Sequence, residues 1–499
     1  MSKIIGCEAG FHPPKSYQGW LWWLAGLALA LRLFHLGAWS FWHDEALTIL
    51  LARKPLPDLV AITAADVHPP LYFLLVKLFL FLGQSEFVVR LPSALCSAGA
   101  VIMLYLIGRD LFEERVGLVS AFIMAVSPLQ LFYAQEARMY AQLLLLTGCA
   151  VWAFIRALRD NRRRWWGLFI ASAALACYTA YFSLPIFLAM ALYVLLVDRP
   201  RERILSFGVS LAVVAGLYLP WLGVFFSQTR AVLASYWIET PHLLTLLTTL
   251  AGFFVGISLP AVWIAASLAV TLFVFFAILN NVRHAFSEGS ADSPALWWLL
   301  LWLLVPLLGT YLISLVRPLF QLRTVLTASL PVYLLVGWGL IRTPRPRLNQ
   351  GLFAPALMIM LLALFNFYFD PAYSKPPWRE AAAYVRDRAQ TGDVALHASD
   401  GSYLPFLVYD PTIPQVLLPG DPEIARINAP SQTIVTAVTA PKQEVTAAVQ
   451  EYQRAWLVLG MDQAIDYQLS QKDYFDQHYH LVDEIRVGGI YILRYALDE

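Results

Sequence analysis

Two adjacent carboxylates follow the first long apolar run of the sequence, at Asp44 and Glu45 within Phe41-Trp42-His43-Asp44-Glu45-Ala46. Acidic side chains at the edge of an apolar span are costly to place, so a functional role is the default hypothesis for them. A carboxylate in this position can take a proton from an attacking hydroxyl group. A structural alternative has Asp44 as the N-cap of a helix with Glu45 in its first turn. The sequence leaves both roles open.

A second group of polar residues lies further along the same loop and at the start of the next apolar run. His68 precedes two prolines, which restrict it to an extended backbone and give it a structural role of its own. Arg90 stands at the end of a predicted span. A guanidinium group there can hold phosphate oxygens through paired hydrogen bonds, or it can extend to the lipid headgroups.

The third motif, Gln135-Glu136-Ala137-Arg138-Met139-Tyr140, joins two apolar runs. Glu136, Arg138 and Tyr140 are crowded into five residues. A solvated turn whose charges neutralise each other would explain them without any function. Their predicted position on the same side of the membrane as Asp44 favours a shared site.

The composition shows what must position these residues. Of 499 residues, 59% are hydrophobic and 14% are charged, whereas soluble domains carry roughly 25% charged residues. The net charge of +1 creates no global field that would favour nucleic acid. The four cysteines support neither a disulfide framework nor a cysteine metal site. The sequence therefore predicts a polytopic α-helical membrane protein.

Eleven apolar runs are long enough to be read as membrane spans, for which roughly 20 residues are needed. They cover, approximately, residues 20–36, 91–107, 116–132, 139–155, 165–179, 183–197, 204–222, 261–279, 296–315, 322–340 and 352–369. The shorter runs His68–Gly83 and Thr240–Gly256 are predicted to lie at the interface. If both cross the membrane, the count becomes thirteen.

The basic residues of the short loops set the predicted orientation in the cell (inner or plasma) membrane, because such residues stay cytoplasmic. The N-terminus is then cytoplasmic and the C-terminal stretch extracytoplasmic, on the same side as the three motifs. The predicted domains are a transmembrane domain over 1–370, with a first external loop at 38–89, and a small α/β domain over 371–499. A helical pattern and three strand-like runs indicate the latter: Trp378–Ala389, Asp393–His397, Ala455–Leu459 and Gly489–Tyr495.

In the order of these motifs the sequence resembles the membrane glycosyltransferases of the GT-C type, especially the family 39 and protein O-mannosyltransferase-like branch of bacteria and archaea, which is related to the lipid A aminoarabinose transferases. The resemblance covers most of the chain and rests on the following segments: Asp44-Glu45, His68-Pro69-Pro70-Leu71, Phe87-Val88-Val89-Arg90, Gln135 to Tyr140, Arg317 to Arg323, and Tyr373 to Glu380. Thr324 departs from the pattern, since many relatives have an Arg-Tyr pair there.

The resemblance implies a GT-C fold and an inverting transfer of a sugar from a polyprenyl-phosphate donor to a hydroxyl of a protein, lipid or glycan acceptor at the outer membrane face. It implies that Asp44 is the general base and that Glu136 is a second acid. Glu45 would orient the acceptor or keep the site anionic. The residues implied to bind the lipid phosphate or to add hydrogen bonds are Arg90, Arg138, Arg323, Arg317, Tyr140 and His68.

No cofactor is required by this chemistry, because arginines can hold the phosphate. A divalent cation could bind if Asp44, Glu45, Asp66, His68 and Glu136 converge, with Asp44, Glu136 and His68 as the first choice of ligands. The expected partners are the lipid-linked donor, membrane lipids and the acceptor. Nucleic acid is not expected.

Two other functions fit parts of the sequence. A multi-pass transporter of a lipid-linked or anionic substrate would also carry polar residues in its spans, but it predicts inverted repeats and charges near the membrane midplane. A glycan polymerase or ligase shares the lipid-linked donor but does not account for the order of the three motifs. Neither the sugar, with mannose and aminoarabinose both open, nor the acceptor follows from the sequence.

Overall fold

The computed structural model describes residues 15–234, 238–343, 346–421, 435–438, 440, 442–460 and 465–497. The helices are α1 (Lys15–Leu33), α2 (His43–Arg53), α3 (Leu56–Ala65), α4 (Leu71–Phe79), α5 (Glu86–Leu111), α6 (Glu114–Val126), α7 (Pro128–Ala134), α8 (Tyr140–Asp160), α9 (Arg163–Cys177), α10 (Leu184–Leu196), α11 (Arg201–Ala234), α12 (Leu243–Val255), α13 (Ile264–Ser287), α14 (Ser293–Ser314), α15 (Ser329–Arg342), α16 (Pro346–Phe369), α17 (Trp378–Arg386), α18 (Asp400–Tyr409), α19 (Val445–Val449) and α20 (Ile465–His478). The strands are β1 (Asp393–His397), β2 (Gln415–Leu417), β3 (Arg454–Leu459), β4 (His480–Val487) and β5 (Ile490–Ala496).

The chain divides into two compact units. The first comprises residues 1–35, 90–223 and 238–373, and the second comprises 36–89, 224–237 and 374–499. The second unit therefore groups the predicted first external loop with the C-terminal α/β stretch and a short piece at the end of α11. The predicted domain boundary after residue 370 stays a prediction.

The first unit consists of helices, and each of the eleven predicted spans coincides with helical structure. By length and apolar composition alone, five helices of the described chain can cross a membrane, or six if α6 and α7 form one bent span. Other apolar helices are shorter, including α4 with the turn that follows it and α12. The predicted span over 322–340 is wrong at its start, because α15 begins only at Ser329 after a short 3-10 turn.

The predicted span over 116–132 is interrupted, which corrects the sequence analysis. α6 ends at Val126, and α7 continues from Pro128 at an angle of 62°. Pro128 has no N–H group to donate to the carbonyl four residues earlier, so the helix breaks there. Residues 128–132, which were predicted to continue the span, belong instead to the separate helix α7, which ends at Ala134.

Arg32 of α1 compensates for this break. Its side chain is fully buried, and its guanidinium group donates to the carbonyl oxygens of Ala125 at 3.2 Å and Met124 at 3.5 Å, the latter being the carbonyl that Pro128 leaves unpaired. Its Nε donates to Ser97 Oγ at 2.8 Å. Buried carbonyl groups need such partners. Arg32 therefore stabilises the bend that precedes the Gln135 to Tyr140 motif.

Small residues let helices of the first unit approach each other closely. A Cβ atom on Gly117 of α6 would lie 2.5 Å from the carbonyl oxygen of Tyr105 in α5, and one on Gly337 of α15 would lie 2.3 Å from Ser120 Oγ. Such contacts are typical of membrane helices, where small residues allow close backbone packing.

The second unit contains a five-stranded sheet in the order β2-β1-β3-β5-β4. β1 pairs in parallel with β2 and β3, whereas β5 pairs antiparallel with β3 and β4. β1 is buried along its whole length because it has a neighbouring strand on each side and both sheet faces are covered. β4 at the edge alternates between half-buried and exposed residues. The three predicted strands and the α17 helix are confirmed; β2 and β4 were missed.

Residues 36–89 belong to the second unit and contain helices α2, α3 and α4. Ala46, Leu47 and Phe73 share an apolar cluster with Leu404 of α18. Lys77, which interrupts the apolar run of α4, donates to the carbonyl oxygens of Ala52 and Lys54 at 3.1 and 2.6 Å and so satisfies the end of α2.

We expect Gly117→Ala to destabilise the first unit by about 1–3 kcal/mol, because the added methyl group collides with the backbone of α5. Gly216→Ala in α11 is the matched control, since nothing lies within 4 Å of the position that a Cβ atom would take there, and alanine favours the helix. Thermal unfolding of both variants in detergent measures the difference. Equal midpoints would contradict the close contact.

Candidate active site

The start of α2 carries the two adjacent carboxylates. Trp42 is the N-cap residue, and both Asp44 and Glu45 lie in the first helical turn. The structural alternative with Asp44 as the N-cap is therefore wrong, because the helix already begins at His43 and no side chain caps it. Negative charge in a first turn is favourable. The Asp44 side chain is 20% exposed, so its carboxylate is accessible, whereas Glu45 is fully buried.

Glu45 forms an ion pair with Lys375, which precedes α17. Lys375 Nζ donates to Glu45 Oε2 at 3.0 Å, and the side chain of the lysine is 9% exposed. The same ammonium group lies 6.0 Å from the centre of the Trp42 ring. The lysine compensates the negative charge of Glu45 at this position, and this argues against a role for Glu45 in keeping the site anionic.

His43 lies between two carboxylates. Its Nδ1 is 3.2 Å from Asp44 Oδ1, and its Nε2 is 3.5 Å from Asp400 Oδ2 at the start of α18. Burial lowers the pKa of His43, but the nearby carboxylates of Asp400 and Asp44 outweigh this effect and raise the pKa to about 10. The imidazole ring is therefore positively charged at neutral pH.

A further polar network connects the segment before α2 to the C-terminal part of the second unit. The Phe41 N–H donates to the Tyr409 hydroxyl at 2.6 Å, and that hydroxyl donates to Glu86 Oε1 at 2.8 Å. Arg379 Nη1 donates to the same carboxylate oxygen at 2.9 Å. These bonds fix the backbone that leads into α2.

His68 lies in the short connection between α3 and α4 and is half-buried. Asp66 lies two residues before His68, directly after the last residue of α3, and is buried. Pro70 is the residue that precedes α4.

The first unit holds the other residues that were predicted to belong to the site. Arg90, Glu136, Arg138 and Tyr140 are all buried, with 1%, 2%, 5% and 2% of their surfaces exposed. Ser93, one turn after Arg90 on α5, donates its hydroxyl to the carbonyl oxygen of Arg138 at 3.2 Å. α5 thus holds the backbone of the Gln135 to Tyr140 motif.

Arg323 belongs to the same surroundings. Glu136 and Arg323 both interact electrostatically with the side chain of Tyr133. The centre of the Tyr133 ring lies 4.8 Å from that of the Tyr140 ring. Arg323 is oriented by Gln321, to which its Nε donates at 2.7 Å. Arg317, by contrast, is exposed after the end of α14.

The possible cation ligands are not grouped. Within the described ranges, no three or more His, Cys, Asp or Glu side chains lie together in a way that could hold a metal ion. The set of Asp44, Glu136 and His68 does not form such a group.

Some residues of these clusters were not predicted from the sequence, namely His43, Lys375, Asp400 and Arg32. His43 and Lys375 stand inside motifs that were recognised, but nothing in their spacing indicates their partners. Asp400 begins a helix more than three hundred residues from α2. Arg32 sits inside an apolar run, and that position was the one available signal.

The solved structures that the chain resembles define its fold class. ArnT from Cupriavidus metallidurans in the apo state matches with a TM-score of 0.64 at 13% identity. The same protein bound to undecaprenyl phosphate matches with a TM-score of 0.66 at 12% identity. Both matches cover 96% of this chain and 98% of the ArnT chain. The Archaeoglobus fulgidus oligosaccharyltransferase AglB, in complex with an inhibitory peptide and a dolichol-phosphate, matches with a TM-score of 0.55 at 12% identity over 97% and 74% of the two chains. The chain has the GT-C fold, which confirms the predicted fold class.

Sequence comparison finds similarity to mannosyltransferases. Residues 67–222 match the model of the dolichyl-phosphate-mannose-protein mannosyltransferase family. YkcB of Bacillus subtilis, a protein provisionally named a mannosyltransferase, is 26% identical over 169 residues, or 33% of this chain and 23% of its own length. The chain thus spans well under two thirds of that relative. The predicted resemblance to GT-C-type, mannosyltransferase-like membrane proteins is confirmed, and the family match includes His68, Arg90, Glu136, Arg138 and Tyr140.

We expect Lys375→Met to destabilise the second unit by about 3–5 kcal/mol, because it leaves the Glu45 carboxylate buried beside an apolar side chain. The double variant Lys375→Met/Glu45→Gln should recover most of this loss. Lys472→Ala is the control, because its pair with Asp476 at 2.7 Å is partly exposed and should contribute less than about 1 kcal/mol. Unfolding in detergent measures all three; a double variant no more stable than Lys375→Met would refute the pairing.

Proposed function

We propose that this chain transfers a sugar from a polyprenyl-phosphate donor to an acceptor hydroxyl, with inversion, at the outer face of the cell membrane. The observation that carries the proposal is the start of α2, where an accessible carboxylate, Asp44, stands beside a buried and compensated one, Glu45. Asp44 is therefore the carboxylate of the two that a substrate can reach. An inverting transfer to a hydroxyl group needs one accessible base to take the acceptor proton.

The base acts on the acceptor. As the acceptor oxygen bonds to the anomeric carbon, its proton passes to the Asp44 carboxylate, and the bond between that carbon and the phosphate oxygen breaks. Glu45, held by Lys375, orients the first turn of α2 and does not itself need to change protonation.

The buried arginines of the first unit suit the leaving phosphate. Arg90 and Arg138 present planar guanidinium groups that can bind phosphate oxygens in pairs. Their low exposure strengthens electrostatic interactions with a departing anion. Arg323 and Tyr140 belong to the same surroundings, whereas Arg317 is exposed and has a weaker claim.

Fold and comparisons favour a lipid-linked donor. One matching ArnT structure is bound to undecaprenyl phosphate, and one AglB structure contains a dolichol-phosphate. We propose the same ligand chemistry here, with a hexose or a pentose as the transferred group and a protein, lipid or glycan as acceptor. The cytoplasmic N-terminus and the extracytoplasmic C-terminal domain are part of this proposal. A transporter, by contrast, gains no support from these matches.

A metal ion is not part of the proposed mechanism. Another structure of the Archaeoglobus fulgidus oligosaccharyltransferase is a complex with Zn and sulfate. The described residues of this chain contain no group of three or more His, Cys, Asp or Glu side chains that could hold a metal ion, and the arginines already supply positive charge for the phosphate.

We expect Asp44→Asn to lower the rate of sugar transfer by about 10²–10⁴-fold, because it removes the general base. Donor binding should change little. The measurement is release of sugar from a panel of polyprenyl-phosphate sugars by the purified protein in detergent. Asp387→Asn is the control, since that carboxylate is 63% exposed. Transfer by Asp44→Asn at the wild-type rate would rule out Asp44 as the base.

We expect Arg90→Ala to weaken donor binding by roughly 10- to 100-fold, the value of one or two charge-assisted hydrogen bonds. Arg386→Ala, whose side chain is 48% exposed, serves as the control. Binding of polyprenyl phosphate without a sugar should weaken in parallel, because Arg90 is assigned to the phosphate. Unchanged binding of both ligands would remove Arg90 from the donor site.

A further inference from the structure

The starts of two helices meet within the second unit. α2 begins at His43 and α18 at Asp400, and Leu404 of α18 packs against Ala46 and Leu47 of α2. This packing brings the C-terminal part of the chain to the turn that carries Asp44.

His43 is an unusual first residue for α2. A positive charge at a helix N-terminus is disfavoured, because the helix dipole places partial positive charge there. Local preference alone would select a neutral or acidic residue. The unfavourable position is offset by the two carboxylates beside the ring, one from the same turn and one from α18. Departures from local preference of this kind are expected at functional sites.

Both ring nitrogens of His43 face a carboxylate. Nδ1 hydrogen-bonds to Asp44 at 3.2 Å, and Nε2 makes an ion pair with Asp400 at 3.5 Å. A doubly engaged imidazole cannot rotate without losing one of these interactions. The same logic orients histidines in metal sites and catalytic triads through the second ring nitrogen.

We infer that His43 and Asp400 are positioning residues for the transfer reaction: Asp400 fixes the His43 ring, and His43 holds the Asp44 carboxylate in one orientation. The inference rests on the proposed function of Asp44 as the base. It assigns the C-terminal domain a part in catalysis. None of the three side chains is closed off, since Asp44 is 20%, His43 28% and Asp400 22% exposed, so a substrate can reach the carboxylate while it is held.

The test is a mutant cycle on the purified full-length protein. Asp400→Asn and His43→Gln are each made alone and in the Asp44→Asn background, with Asp400→Glu as the charge-conserving variant. Turnover is measured with the polyprenyl-phosphate sugar that the wild-type protein uses, over incubations long enough to quantify the residual rate of Asp44→Asn. Binding of polyprenyl phosphate and the thermal midpoint are measured beside it.

We expect Asp400→Asn to lower kcat roughly tenfold or more, because a misplaced reacting group costs rate steeply. The dissociation constant of polyprenyl phosphate should stay within about twofold, and Asp400→Glu should restore part of the rate. In the Asp44→Asn background neither substitution should lower the residual rate further, since both act only through Asp44. Asp387→Asn again controls for loss of a surface carboxylate.

Three results would overturn the inference. An unchanged kcat in Asp400→Asn and His43→Gln would show that neither residue positions the base. An equal loss of rate with and without the Asp44 carboxylate would show that the residues only maintain the fold. A wild-type protein that transfers no sugar, or an Asp44→Asn variant as active as wild type, would instead refute the proposed function, and the inference with it.

Discussion

Backbone carbonyl groups inside an apolar helix bundle must find a donor, and the break at Pro128 creates carbonyls that have lost theirs. Arg32 supplies the donors from α1. Without these donors the carbonyl groups at the bend would lose hydrogen bonds inside the helix bundle. The bend is what turns the chain into the short motif with Glu136 and Arg138. The buried Arg32 thus stabilises the bend, and the bend in turn places Glu136 and Arg138.

A second constraint acts on α2. Two adjacent acids in one turn repel each other, and one of them is fully buried. The second unit resolves this by giving each acid its own cation: Lys375 for Glu45 and His43 for Asp44. The cations differ in kind. The lysine pair is almost closed to solvent, whereas the histidine pair is partly open, and this difference separates a structural carboxylate from an accessible one.

The comparisons show how little of the fold depends on particular residues. ArnT shares only 13% of its residues with this chain at a TM-score of 0.64. The family model matches only residues 67–222, so that Asp44 and Glu45 lie outside the match. Burial patterns and helix lengths suffice to preserve the architecture, while the chemistry is carried by a few side chains. The placement of those side chains therefore has to be established from their own contacts.

Local patterns in the sequence were enough to predict the apolar helices of the first unit, the helix α17 and three of the five strands, because periodicity is a signal that each segment carries alone. β1 was predicted with the bounds that the structure shows. The charged motifs were also identified in advance, since polar residues at the ends of apolar runs stand out. The bend at Pro128 was missed, although the proline was visible, because the apolar run continues through it.

Which charges meet, by contrast, depends on the tertiary fold. Glu45 and Lys375, like His43 and Asp400, are separated by more than three hundred residues, and no local pattern specifies such a pair. The pair of His43 and Asp400 forms where apolar packing of Ala46 and Leu47 against Leu404 brings α2 and α18 together. The hydrophobic effect is non-directional, so which apolar surfaces pack together depends on the whole fold and not on a local pattern. The electrostatic environment of the candidate base therefore follows from packing that the sequence did not show.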